Sequence, residues 1–462
     1  MKNLIYYLLL FYALVCVLSI TFFSGTGDSG DSVTHYLFAK YAPSHPILFL
    51  NHWAKPVFVL LASPFAQFGF IGVKIFNSLI SLLVIFFTYK TAEKLEIKNA
   101  ILVAVFLIFS PLFYILTFSG LTEPLFALFT ILGIYFCSKQ KHITAALIIS
   151  FLPYVRSEGL IIIGIFGLYF LYKSLWKPLP FLTLGSVIYG FIGLFVFGDF
   201  FWVFTEIPYA KLSSVYGQGA FFHFVEQLIN VTGVPIYILF WIGFLFLFAL
   251  IIKKKTHAEQ HILLFLGFCA FFTAHTLFWY LGIFNSMGLK RVLIGIIPLI
   301  ALISLIGFNF ISERVHSKPK LKKGVQIFLI GYILLFPFLP NPSAINWEKD
   351  MMLNPDQKIA IQVSEFILNE KLINYPLLYN HRYLSIPLNI DYFDSKKCLQ
   401  ITSENIKTMK AGNLLIWDNH YGEFESGFRQ GKLDSNSTLT NIGIFKTNEL
   451  GKNAIFSVYK KN

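Results

Sequence analysis

The chain has 462 residues, of which 56% are hydrophobic, 18% aromatic and only 13% charged. Soluble domains carry roughly 25% charged residues, so this composition excludes an ordinary soluble enzyme and points to a protein solvated by lipid. The formal net charge of +13 would suggest nucleic acid for a soluble chain; here the basic residues flank apolar runs and report topology, so no nucleic-acid partner is expected.

Residues 4–22 form the first apolar run, close to the ~20 residues that a bilayer crossing needs. No small-residue cleavage motif follows, so it reads as a retained helix rather than a signal peptide. Next comes GTGDSGDSVTHYLFAKYAPSHPILFLNHWAKP, residues 25–56, which holds two aspartates, three histidines and two lysines. Further apolar segments lie at 69–89, 99–117, 120–137, 142–155, 158–172, 179–198, 235–252, 261–282, 291–311 and 325–339. With the first, these make eleven expected membrane helices.

The segment at 142–155 is short, and charge parity decides whether to count it. With a cytoplasmic N-terminus and eleven crossings, fifteen Lys and Arg residues fall in cytoplasmic loops. Six fall on the other side outside the tail: Lys40, Lys55, Arg156, Lys211, Lys290 and Arg291. This bias fits the positive-inside rule. Fusing 142–172 into one helix would put Lys253, Lys254 and Lys255 outside, so two short helices are expected.

Composition changes after residue 340, where NPSAINWEKDMMLNPDQ brings prolines and mixed charge, as at a domain boundary. The domains are therefore expected at 1–340, a membrane unit, and 341–462, a small extracytoplasmic α/β domain. Residues 356–371 have helical apolar spacing, and PLLYN, NLLIWD, IGIFK and AIFSVYK read as strands. Cys16, Cys137 and Cys269 fall in apolar runs and Cys398 in a polar one, so neither a disulfide nor a zinc site is expected.

Once topology sorts the ionisable residues by side, several segments deliver them to one face. These are Asp28 and Asp31, Lys55, Glu123, Arg156 with Glu158, and Lys290 with Arg291. Charges near a bilayer are costly and tend to be kept for function. A carboxylate such as Asp28 or Asp31 can take a proton from a hydroxyl. Lys55, Arg156 and Arg291 can neutralise a phosphate leaving group. The residues therefore suggest group transfer from a phosphorylated lipid to a hydroxyl outside the cytoplasm. Structural alternatives stand beside each role: a turn at Asp28, an interfacial anchor at Lys55, a helix start at Glu123, a mutual pair for Arg156 and Glu158, and snorkelling for Arg291. His35, His45 and His52 lack ligand spacing; His52, near Lys55, is carried as a substrate contact.

The chain resembles the GT-C superfamily of polytopic glycosyltransferases, which use polyprenyl-phosphate sugars. That group includes protein O-mannosyltransferases, the lipid A aminoarabinose transferase and the mannosyltransferases of GPI-anchor assembly. The resemblance rests on Asp31 in GDSVTHY, on WAKPVFVLLASPFAQFGFIGVKIFN, on LTEPLFALF and RSEGLIIIG, and on KRVLIGIIPLIALI. It covers roughly residues 1–340 and, less specifically, the tail. It implies an all-α polytopic bundle and an inverting transfer of a hexose, mannose in the closest-looking relatives. The donor is a polyprenyl-phosphate-linked sugar and the acceptor a glycan, lipid or protein.

By the same resemblance Asp31 is the catalytic base, with Asp28 the alternative, and Lys55 meets the donor phosphate. Two departures stand out: Ser32 replaces the second acid of many relatives, and Ala54 replaces a glutamate of the lipid A enzyme. No cofactor is named, and a divalent metal stays open. The implied location is a bacterial inner membrane, with site and tail extracytoplasmic. Two other readings remain: a transporter or flippase of a lipid-linked saccharide, and a non-catalytic membrane assembly subunit.

Overall fold

The structure, a computed structural model, describes residues 3–208, 216–315 and 317–462; Lys211 lies outside the described residues. The first run forms helix α1 (Leu4–Phe22). The stretch that follows, expected as a loop, instead folds into α2 (Asp31–Tyr41), a 3-10 turn at Pro46–Leu50, and α3 (Pro56–Ala66). Val33, Tyr36 and Leu37 are the buried face of α2, a helical spacing that the surrounding charges obscure. Pro56 starts α3, where its missing N–H costs no hydrogen bond.

The remaining membrane unit follows the hydrophobic pattern. After α4 (Phe70–Lys94), the predicted span at 99–117 is split into α5 (Leu102–Ile108) and α6 (Pro111–Thr117). Pro111 cannot donate to the preceding turn and so opens a new helix. Helix α7 (Glu123–Ser138) is followed by α8 (His142–Ile149) with its 3-10 extension Leu152–Tyr154, then α9 (Gly159–Tyr172). Residues 142–172 are thus two elements, as charge parity required. Then come α10 (Leu184–Phe197), the short α11 (Trp202–Thr205) and α12 (His223–Thr232), and α13 (Val234–Ile252). A π-helical stretch, Glu259–Leu266, runs into α14 (Gly267–Tyr280). A 3-10 turn, Lys290–Ile296, runs into α15 (Ile297–Arg314), and α16 (Pro319–Leu335) ends the unit.

All eleven predicted segments are helical. Among the described residues seven helices are individually long and apolar enough to cross a membrane, the last three being Glu259–Tyr280, Lys290–Arg314 and Pro319–Phe338. The other four predicted spans are shorter or broken. Exposed Phe11, Phe22, Phe195, Leu245 and Phe328 make an apolar surface that suits lipid and not water. The chain is a multi-pass integral membrane protein.

Helix α15 is the central post, with every residue from Ile297 to Phe308 buried. It meets α13 at Gly243 and Gly307, where an added methyl on either glycine would collide with the other helix's backbone carbonyl at Ile303 or Leu239. Small residues let helix backbones approach in this way.

The tail carries α17 (Trp347–Met351) and α18 (Pro355–Asn369) before its sheet. A capping box between Asn354 and Gln357 starts α18. Strands β1 (Leu377–Tyr379), β2 (Cys398–Leu399) and β3 (Leu414–Asp418) pair in parallel, in the order β2-β1-β3. On the other edge β3 pairs antiparallel with β5 (Lys452–Lys461), which pairs with β4 (Leu439–Glu449). The two-residue strand β2 escaped the sequence reading, because a run this short carries no alternation. Its Cys398 is buried, although Lys396 and Lys397 precede it.

This domain sits on the 25–56 stretch. Gly25 N donates to the Met351 carbonyl at 2.8 Å, Gln357 Nε2 donates to Thr26 Oγ1 at 2.9 Å, and Tyr41 OH donates to the Ile390 carbonyl at 3.0 Å. His45 pairs with Asp391 at 2.8 Å.

Candidate active site

A cavity of about 370 Å³ lies at the end of the bundle that carries the C-terminal domain. Its wall includes Asp31, Lys55, Glu123, Arg156, Glu158 and Arg291, brought together from five places in the sequence. Each is held near the end of an element. Asp31 opens α2, Glu123 opens α7, and Lys55 and Glu158 immediately precede α3 and α9. Arg291 belongs to the 3-10 turn ahead of α15.

The charges form one connected network. Arg291 Nη1 donates to Asp28 Oδ2 at 2.6 Å and its Nη2 donates to Asp31 Oδ2. Its Nε lies 3.4 Å from Glu123 Oε1. Arg156 Nη1 lies 2.9 Å from the same Glu123 oxygen, and its Nη2 is 2.9 Å from Glu158 Oε1. Glu123, with no exposed surface, is therefore enclosed by two guanidinium groups. Its ion-pair distances are short, but neither of its oxygens accepts a well-aligned hydrogen bond. The Nε groups of Arg156 and Arg291 are likewise buried without a hydrogen-bond partner, although the Arg291 Nε faces Glu123 Oε1 at 3.4 Å.

Lys55 supplies the third cation. Its Nζ donates to Ser157 Oγ at 2.8 Å. Burial pushes this ammonium down to about 8, with Glu158 raising it and Arg156 lowering it. His35, stacked on Trp53 at 4.8 Å, is driven down to about 3 by burial and by the cations Arg291, Arg156 and Lys55. It is thus neutral at physiological pH.

Not every expected residue is on the wall. Asp28 does not line the cavity; its Oδ1 accepts from Gly30 N at 2.7 Å, the turn-forming bond open to an aspartate there. The structure does not bring His52 to the cavity. Its Nε2 meets the Val203 carbonyl at 2.9 Å, and it lines a separate small cavity behind Ser157. Ser32, in the place of a second acid, is fully buried and ties Gly120 N to the Thr26 carbonyl. Sequence reasoning missed Thr122, Ser157 and His275 on the wall. His275 did leave a signal: a histidine inside the apolar run 261–282.

These residues do not fit a metal ion. Arginine holds Asp28, Asp31, Glu123 and Glu158, Ala54 offers no ligand, and no metal-binding group of three or more His, Cys, Asp or Glu occurs among the described residues.

No protein-family model matches the sequence, and a search of curated proteins found no match. A solved structure does resemble it: the crystal structure of ArnT from Cupriavidus metallidurans in the apo state. The two superpose with a TM-score of 0.62 over 99% of this chain and 98% of ArnT, at 9% sequence identity. The chain has the ArnT fold. The likeness spans the membrane unit and the C-terminal domain together, and it bears out the expected fold, a polytopic helical bundle with a small C-terminal α/β domain. At 9% identity the likeness to ArnT concerns the fold.

Proposed function

We infer that the protein is an inverting glycosyltransferase, which moves a hexose from a polyprenyl-phosphate carrier to an acceptor hydroxyl on the extracytoplasmic side. The observation that carries this reading is the cavity itself. One wall offers three half-buried cations, Lys55, Arg156 and Arg291, and beside them stands the aspartate that opens α2. A lipid phosphate entering there meets Lys55, Arg156 and Arg291, which can stabilise the charge it gains as it leaves the sugar.

Asp31 then acts as general base. It removes the acceptor proton while the acceptor oxygen attacks the anomeric carbon, and the carbon–oxygen bond to the lipid phosphate breaks on the opposite face. In the resting site Arg291 occupies Asp31. A bound phosphate competes for that guanidinium and frees carboxylate lone pairs for the acceptor. Arg291 therefore couples donor binding to the base, a role beyond the simple phosphate clamp expected from sequence.

The test uses purified protein and a synthetic polyprenyl-phosphate mannose. Asp31→Asn keeps the shape and the acceptor capacity of one oxygen but removes the basicity. Turnover is expected to fall by about 10²–10⁴-fold, the usual contribution of a positioned base, with donor affinity little changed. Asp28→Asn, which can still accept from Gly30 N, is expected to cost much less. Near-normal turnover in Asp31→Asn overturns the assignment.

A further inference from the structure

The C-terminal domain grips the start of α2 at two points. Arg382, in the 3-10 turn Arg382–Ser385 after β1, donates from Nη1 to Thr34 Oγ1 at 2.7 Å. Thr34 Oγ1 in turn donates to the Gly30 carbonyl at 2.9 Å. Gly30 is the residue from which α2 springs, directly before Asp31. The Arg382 guanidinium also lies 5.8 Å from the centre of the Trp53 ring and 5.6 Å from that of Tyr392, and Trp53 lines the cavity. The second grip is Tyr421. A methyl added to Gly30 would lie 2.7 Å from the Tyr421 hydroxyl but 3.7 Å from its ring carbon Cζ. Neither Arg382 nor Tyr421 lines the cavity, so each acts through another residue.

We propose that Arg382 is a positioning residue for the transfer reaction: through Thr34 and Gly30 it fixes the Asp31 carboxylate on the cavity wall. The C-terminal domain is then a working part of the active site. The planar guanidinium bridges a hydroxyl and two rings, a set of contacts that the point charge of lysine does not reproduce. Displacement of a reacting group by 1 Å can cost about 10²-fold in rate, so a latch on the helix bearing the base has a large lever on turnover. The proposal rests on the reading of Asp31 as base.

Full-length protein in lipid nanodiscs, with synthetic polyprenyl-phosphate mannose as probe, tests it. Arg382→Ala is expected to lower kcat for donor consumption at least about tenfold, within the range a misplaced group produces, while donor KM stays within about twofold. Arg382→Lys does not restore the rate. Thr34→Val breaks the same relay from the other end. The double variant is no slower than Arg382→Ala, because the two residues act as a unit. Gly30→Ala is slow, and adding Tyr421→Phe recovers part of the loss by removing the colliding oxygen.

Unchanged kcat in Arg382→Ala, or strictly additive losses in the double variant, overturns the latch. If wild-type protein consumes no donor, the functional reading falls, and amide exchange over Asp31–Tyr41 decides the latch by itself. Exchange there is expected to be faster in Arg382→Ala and no faster again in the double variant. Equal exchange in wild type and Arg382→Ala overturns it.

Discussion

Lys55 combines two features that the neighbouring sequence does not advertise. Its backbone has φ +69°, a left-handed conformation that a non-glycine side chain adopts at a cost of order 1–3 kcal/mol. Its half-buried ammonium donates to Ser157, and its titration point is lowered to about 8. A strained residue directing a marginally charged amine into a cavity is the kind of site where function holds the strain in place. Because burial favours the neutral amine, the cation is present below about pH 8 and lost above it. Donor KM is therefore expected to rise as pH passes through that value, and Lys55→Arg, which stays charged, should flatten the rise. Lys55→Ala should weaken donor use by ~1.5–3 kcal/mol, the worth of a charge-assisted contact. Steady-state kinetics from pH 6 to about pH 9.5 on the three proteins would check this, and a pH-independent KM in wild type returns Lys55 to an interfacial anchor. Arg291→Ala is a less clean probe, since it also strips Asp28, Asp31 and Glu123 of their shared cation. The sequence allowed the candidate residues to be named one by one, because charge in an apolar chain is conspicuous. It could not pair Arg291 with Asp28 and Asp31, since those contacts join positions 263 and 260 residues apart.

Hydrophobic runs and charge parity placed the long helices well, because each must satisfy its backbone internally in lipid. The same logic fails for α2, whose apolar face packs on protein while its other residues carry the chemistry, and for α3, too short to register as a span. The crossing of α13 and α15 was also invisible, since Gly243 and Gly307 have meaning only when the two helices meet. Helix α15 continues directly from the turn that presents Arg291. Replacing Gly307 with alanine puts its methyl against the Leu239 carbonyl, so the helices must separate along the most buried post in the molecule. Overpacking of this kind typically costs about 1–3 kcal/mol. Gly307→Ala is expected to lower the Tm in detergent and to reduce turnover through Arg291. By contrast Gly324→Ala, where an added methyl meets nothing within 4 Å, should be neutral in both. Equal Tm values for the two variants would show that the close crossing does not limit stability.

On the scale of the whole molecule, one end of the bundle holds the cavity, the 25–56 stretch and the C-terminal domain in mutual contact. The sequence placed the last two on the same side by counting spans and basic residues, and the contacts at Gly25, Thr26, Tyr41 and His45 require it. Which side of the membrane this is depends on the positive-inside bias, so a topological test must use residues that water can reach. Ser32 and Cys398, natural choices from sequence, are both buried and would stay silent from either side. Ser44 and Ser437 are exposed, one in the 25–56 stretch and one before β4, and exposed Ser317 marks the opposite end between α15 and α16. Single cysteines at these three positions, in a background where Cys16, Cys137, Cys269 and Cys398 are replaced by alanine, would be treated with a membrane-impermeant maleimide. In spheroplasts, Ser44→Cys and Ser437→Cys are expected to label and Ser317→Cys to label only after permeabilisation. The reverse pattern would put the cavity in the cytoplasm and remove the extracytoplasmic acceptor. Labelling of Ser44→Cys without Ser437→Cys would break the shared face on which the whole site is built.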